Sequence, residues 1–218
     1  MLISRAVTFE YDKSNQFHFP DINLPEGTNL LVLGDSGIGK TTLLHLTAGL
    51  LKPKSGSIEI DRTDIMQLEG KDLDRFRGAH IGIIFQKPYF IQSLTLRENL
   101  ELIQYLGNRA KDGHRIKLVL DDLGLLGKMN TKPQYLSQGE QQRAGIALAV
   151  INQPKLILAD EPTSALDDKN CRRVIELLKN QTKKNKCSLM IITHDQRLKT
   201  EFENSIKLAS TNQTNNLP

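Results

Sequence analysis

The stretch Gly34-Asp35-Ser36-Gly37-Ile38-Gly39-Lys40-Thr41 sets three glycines, a lysine and a hydroxyl at the spacing of a phosphate-binding loop. Glycines let backbone N–H groups wrap phosphate oxygens with no Cβ in the way. A helix that starts there adds partial positive charge. Lys40 neutralises β- and γ-phosphates, the Thr41 hydroxyl ligates magnesium, and Thr42 joins the same phosphate-binding set. The alternative, a plain glycine turn, leaves the lysine and the hydroxyl without a role. The chemistry in view is binding of a nucleoside triphosphate with Mg2+.

A second cluster lies at Leu156-Ile157-Leu158-Ala159-Asp160-Glu161, an apolar run that ends in two acids. Acids at the carboxyl end of a parallel strand face the ligand crevice of an open α/β sheet. There Asp160 holds magnesium through water, and Glu161 orients or deprotonates an attacking water. The alternative is an acid pair at a helix N-terminus before Pro162.

These residues need a sheet and helices to position them. Ser4–Tyr11 and Phe17–Leu24 alternate roughly between apolar and polar, as edge strands do, with a turn at Pro25-Glu26-Gly27. Asn29–Leu33 reads as a buried strand, and a helix is predicted from Lys40 to Leu51, ending before Pro53. Ser57–Asp61 and Ile81–Phe85 read as strands. From Gln86 to Val150 the chain turns helical: Thr95-Leu96-Arg97-Glu98 opens a helix with a capping box, Arg115–Leu123 makes another, and Ser137–Ile151 a third. Leu156–Ala159 and Ser188–Thr193 are continuously apolar, as parallel strands covered on both faces are. Asp168–Lys186 between them has helical spacing. The expected fold is therefore α/β: a mainly parallel P-loop core (1–85 and 151–208) with an N-terminal antiparallel β part, a helical insert (86–150) and a polar tail (209–218), all in one domain.

The composition is that of an ordinary water-soluble domain: 218 residues, 39% hydrophobic and 25% charged. Net charge is +4, with positive and negative residues interspersed, so no nucleic-acid partner is expected. No run is apolar enough to span a bilayer, and Met1–Glu10 lacks a signal-peptide pattern. Cys171 and Cys187 lack metal spacing and are expected to be reduced and buried. His45, His80 and His114 match no motif.

Taken together these motifs resemble the nucleotide-binding subunit of an ABC transporter over residues 1 to about 208. Gln86 matches the family's Q-loop, Leu136-Ser137-Gln138-Gly139-Glu140 its signature, Ser164-Ala165-Leu166-Asp167 its D-loop and His194 its switch histidine. The resemblance implies a head-to-tail dimer, with each ATP between one chain's P-loop and the other's signature. It implies that Ser137, Gly139 and Glu140 meet the γ-phosphate across that interface. Gln86 senses magnesium and phosphate, His194 contacts the γ-phosphate, and Ser164 and Asp167 serve the dimer interface. Tyr11 sits where the family stacks an aromatic on adenine; packing on an edge strand is the alternative. Ser137 and Glu140 also form a capping box that needs no partner.

Gln138 replaces the commoner glycine, Glu140 a frequent glutamine and Leu148 a familiar arginine; Ile38 and Thr41 stand where serines are frequent. Thr42–Leu46 and Ala159–Thr163 are similar to the lipoprotein-releasing and macrolide-export type, with the cell-division type close. Members of that type act at the cytoplasmic face of the membrane, hydrolysing ATP to energise a separate permease. Lys87–Leu94, with Tyr89, Phe90 and Ile91, is where such a partner should dock; burial in the helical insert explains these apolar residues equally well. The alternative reading is a regulatory ATP switch in which dimerisation, rather than transport, is the output.

Overall fold

The computed structural model describes residues 1–12, 15–163 and 166–208. Ser164, Ala165 and the tail 209–218 lie outside the described residues. The order along the chain is β1 (Leu2–Asp12), β2 (Asn15–His18), β3 (Ile22–Leu24), β4 (Asn29–Leu33), α1 (Lys40–Thr47), β5 (Ser55–Ile60), β6 (Thr63–Asp64), α2 (Gly70–His80), β7 (Ile81–Ile84), α3 (Leu96–Leu106), α4 (Gly113–Asp122), α5 (Gln138–Val150), β8 (Leu156–Asp160), α6 (Asp168–Asn185), β9 (Ser188–Thr193) and β10 (Ser205–Lys207).

The continuously apolar strands lie side by side in a parallel sheet of order β10-β4-β9-β8-β7. Successive side chains on a strand point to opposite faces. Leu31, Leu33, Ile157, Ala159, Leu189 and Ile191 enter one core cluster, with α3–α6; Leu30, Val32, Leu156, Leu158, Met190 and Ile192 enter the other, with α1 and the antiparallel strands. Both faces are covered, so alternation vanishes from the sequence. In the second sheet β1 pairs antiparallel with β2, β3 and β5.

Register decides where the chemistry falls. Leu33 is opposite Thr193 and Asp160 is opposite Ile192, so β4, β8 and β9 end together. The loops that follow carry the glycine-rich segment, Glu161 and His194 at one edge.

Several predicted elements differ from the structure. Phe17–Leu24 is two strands rather than one: the Phe19 N–H still donates to the Val7 carbonyl of β1 at 3.0 Å, and the ladder breaks at Pro20-Asp21. Pro20 has no N–H to donate there. α1 stops at Thr47 rather than Leu51, where Gly49 takes a left-handed φ of +63°. Helix α2 and strand β10 have no counterpart among the predicted elements. α2 offers Leu73 and Phe76 as its main apolar residues, and both are only partly buried. It is held by Arg77, whose Nη1 donates to the Gly49 carbonyl at 2.9 Å, and by stacking of Phe76 on His80. Both cysteines are free and buried, as expected.

Leu158, with no exposed surface, packs inside the second cluster. Leu158→Ala should cost about 2–5 kcal/mol and lower the melting temperature measurably. An unchanged urea midpoint would show that this layer is not the rigid support of the site.

Candidate functional site

Two glycines shape the phosphate loop. Gly37 and Gly39 have φ of +81° and +98°, conformations that side chains rarely adopt. A Cβ on Gly39 would also stand 2.6 Å from the Phe17 ring. The loop starts at Gly34, whose N–H donates to the Thr193 carbonyl at 3.3 Å, and it ends as the N-terminus of α1. Gly34 is buried, whereas Asp35, Ser36 and Gly37 are exposed around the cradle and Ile38 is half-buried.

The Lys40 ammonium is buried, 7% exposed, and donates to the carbonyls of Gly34 and Asp35 at 2.9 and 2.8 Å. It stands 3.7 Å from Glu161 Oε1. The Thr41 hydroxyl donates to Asp160 Oδ2 at 3.2 Å. Burial pushes the Asp160 carboxyl above its ordinary value, opposed by that hydroxyl. A hydroxyl and a carboxylate paired so closely are the hard oxygen donors that magnesium takes.

Glu161 holds φ at +47°, a strained value for a residue with a side chain. Nothing in the sequence signals it. The turn aims the carboxylate back over the strand ends. Oε2 accepts from the Thr193 hydroxyl at 2.7 Å, and Oε1 accepts from the His194 backbone N–H at 3.1 Å. His194 Nδ1 lies 2.9 Å from the same Oε1; a carboxylate only accepts, so Nδ1 carries the proton in this pair. Thr193 was missed by sequence reasoning, because a buried threonine ending an apolar strand looks like packing.

Tyr11 projects from β1 toward the start of α1, its hydroxyl 3.2 Å from Thr42 Oγ1. Its ring meets Phe9 and Phe17 edge-on and remains 58% exposed. Packing and an open ring face thus coexist. Gln86 lies exposed just past β7, whose last residue, Ile84, is opposite Ala159.

The signature residues sit apart from this group. Ser137 caps α5: its Oγ accepts from the Glu140 N–H at 3.3 Å, and Glu140 Oε2 accepts from the Ser137 N–H at 2.8 Å. The Ser137 contacts hold the Glu140 carboxyl below its ordinary value, aided by Lys128 at 3.3 Å. Among the described residues no hydrogen bond or ion pair joins Ser137 or Gly139 to the phosphate loop. A Cβ on Gly139 would meet only the tip of Arg143, at 3.7 Å. This chain's own packing therefore does not require glycine there. Gly139 instead lines a cavity of about 620 Å³ with Asp167, the cap of α6, whose Oδ1 accepts from the Asn170 N–H at 2.9 Å. Ser164 falls outside the described residues.

Phe85, Pro88, Tyr89, Ile103, Leu106 and Leu148 line a separate, mainly apolar groove of about 510 Å³, with Asp74, Arg77 and Asn152 also in its wall. Tyr89 is 74% exposed, whereas Phe90 packs against the helical core. Among the described residues no helix is long and apolar enough to cross a membrane.

Residues 18–164 match the ABC transporter family. The chain is 39% identical over 183 residues to the lipoprotein-releasing system ATP-binding protein LolD 1 of Chlorobium luteolum, covering 81% of this chain and 78% of that one. It is 36% identical over 190 residues to its counterpart LolD of Colwellia psychrerythraea, covering 86% and 74%. Among solved structures it resembles a dimeric ATP-binding cassette in a post-hydrolysis state bound to ADP and Pi, with a TM-score of 0.85, 33% identity and coverage of 96% and 95%. This chain belongs to the ABC transporter family, as an ATP-binding subunit that hydrolyses ATP.

Proposed function

We propose that two copies of this chain close on two ATP molecules, each held by one copy's phosphate loop and the other's signature. The observation that carries this reading is the pairing of a complete phosphate loop and acid pair with a signature whose Ser137 and Gly139, among the described residues, make no hydrogen bond or ion pair to them. In this reading residues 34–42 form the phosphate cradle, the loop N–H groups beyond Gly34 and the Lys40 ammonium bind the phosphates, and Tyr11 receives the adenine on its open face. Thr41, Gln86 and Asp160 hold Mg2+, which when bound offsets charge on the β- and γ-phosphates. Glu161 takes a proton from water as the water oxygen attacks the γ-phosphorus in line, and the bond to the β-phosphate oxygen breaks to release ADP. His194 steadies both Glu161 and the γ-phosphate. Gly139, with no Cβ, lets the start of the partner's α5 approach the γ-phosphate closely, and its N–H and Ser137 donate to it.

The relatives' names support a lipoprotein-releasing system, and the finer reading places this subunit peripherally at the cytoplasmic face of a membrane, energising a permease of that type. The apolar groove around Tyr89 is the docking surface for that permease. Leu148, where the type has arginine, leaves the groove lining more apolar. Tyr89→Asp should cut co-purification of the permease at least about tenfold, since it places a charge in an apolar contact. Co-purification and ATPase assays with and without the permease test this. Retention of Tyr89→Asp at the wild-type level, or an ATPase rate indifferent to the permease, would contradict it.

A further inference from the structure

Arg197 lies in the short 3-10 turn Gln196–Glu201 that follows His194. Asp195 caps this turn, accepting from the Arg197 N–H at 3.0 Å. The guanidinium folds back onto the same carboxylate, with Nε and Nη2 at 2.9 and 2.7 Å. Its other donors reach away from the strand end, Nη1 to Asp168 Oδ1 at 2.5 Å and Nη2 to the Leu166 carbonyl at 3.3 Å. Leu166 and Asp168 flank Asp167. The planar fork of arginine suits such bridging, because it presents several donors in fixed directions.

The bridge continues inward. Asp195 Oδ2 also accepts from the hydroxyl of buried Thr163, at 3.2 Å. The Asp195 N–H donates to Thr193 Oγ1 at 3.0 Å, and that hydroxyl donates to Glu161 Oε2 at 2.7 Å. One unbroken run of hydrogen bonds therefore joins Glu161, Thr193, Asp195 and Arg197 to the residues on both sides of Asp167. Arg197 is partly solvent-exposed, so its ion pairs add little to stability. Their consequence is geometric.

We propose that Arg197 is a positioning residue for ATP hydrolysis: it ties the segment around Asp167 to the strand end that carries Glu161 and His194. Engagement of Asp167 by a second chain then sets the Glu161 carboxylate for water activation. This rests on the reading that Glu161 activates water and that Asp167 lies at the dimer interface. Arg197 and Asp168 are not among the groups assigned to phosphate or adenine binding, so loss of their link should act on turnover and spare binding.

The test is steady-state ATPase and fluorescent-ATP binding for wild type, Arg197→Ala, Asp168→Asn, the double variant and Glu161→Gln. Arg197→Ala should lower kcat per nucleotide-binding chain about tenfold or more, with Kd for ATP within about twofold of wild type. The double variant should lose no more than Arg197→Ala, because both changes cut one link. The proposal is overturned if kcat per binding-competent chain stays within about twofold of wild type, or if the whole loss reflects fewer competent chains. It is also overturned if the double variant's losses simply multiply. Wild-type turnover by Glu161→Gln would instead remove the reading beneath it.

Discussion

Glu161→Gln is expected to bind ATP, to lose hydrolysis about 100-fold or more, and to accumulate as an ATP-bound dimer. The amide keeps the shape of the carboxylate: its oxygen can still accept from the His194 N–H, while its NH2 stands at the other position and donates to the Thr193 hydroxyl oxygen. It cannot take a proton from water, and it removes the negative charge facing Lys40 at 3.7 Å. Chemistry stops while the groups that bind phosphate remain. Closure driven by ATP is then no longer undone by hydrolysis, and the dimer persists. Gel filtration in millimolar ATP reads this directly. A variant that runs as a monomer at every protein concentration, or that turns over at the wild-type rate, would show that Glu161 does not activate the water.

Lys40→Ala should fail one step earlier, at binding. The ammonium is the buried cation of the phosphate loop, and its bonds to the Gly34 and Asp35 carbonyls keep it inside the cradle. Truncating one partner of a buried, hydrogen-bonded charge pair costs about 2–5 kcal/mol, or about 30- to 4000-fold in affinity. The two carbonyls can turn to water and the core is untouched, so the melting temperature should shift little. Titration of fluorescent ATP distinguishes the outcomes: unchanged affinity together with unchanged ATPase would sink the phosphate-loop assignment.

How far the sequence carries the account depends on whether a feature is local. The phosphate loop, the acid pair and the capped start of α5 are contiguous, so spacing alone exposes them, and they fall between β4 and α1, at the end of β8 and at a helix start. The buried strands were legible because residues covered on both faces lose alternation. Helix α2 was not, because it carries little apolar surface and is held to the rest of the fold by an arginine that reaches the distant Gly49 carbonyl. The break between β2 and β3 turns on Pro20, whose effect depends on which neighbouring strand wants its N–H. The positive φ of Glu161 and the links from Thr193 to Arg197 arise only once β8 and β9 lie in register. No one-dimensional pattern contains them.

The two-chain site can be tested by mixing two inactive variants. Gly139→Asp adds a side chain where this chain has room, at a helix N-terminus that favours an acid, so it should fold normally. It should nevertheless abolish turnover, because its carboxylate would confront the partner's γ-phosphate. Lys40→Ala keeps an intact signature, and Gly139→Asp keeps an intact phosphate loop. In a head-to-tail dimer of the two, one complete site forms. The ATPase activity of the mixture should therefore rise well above the sum of the separate variants. Wild-type activity in Gly139→Asp alone, or no recovery at any mixing ratio, would contradict a catalytic site shared between two chains.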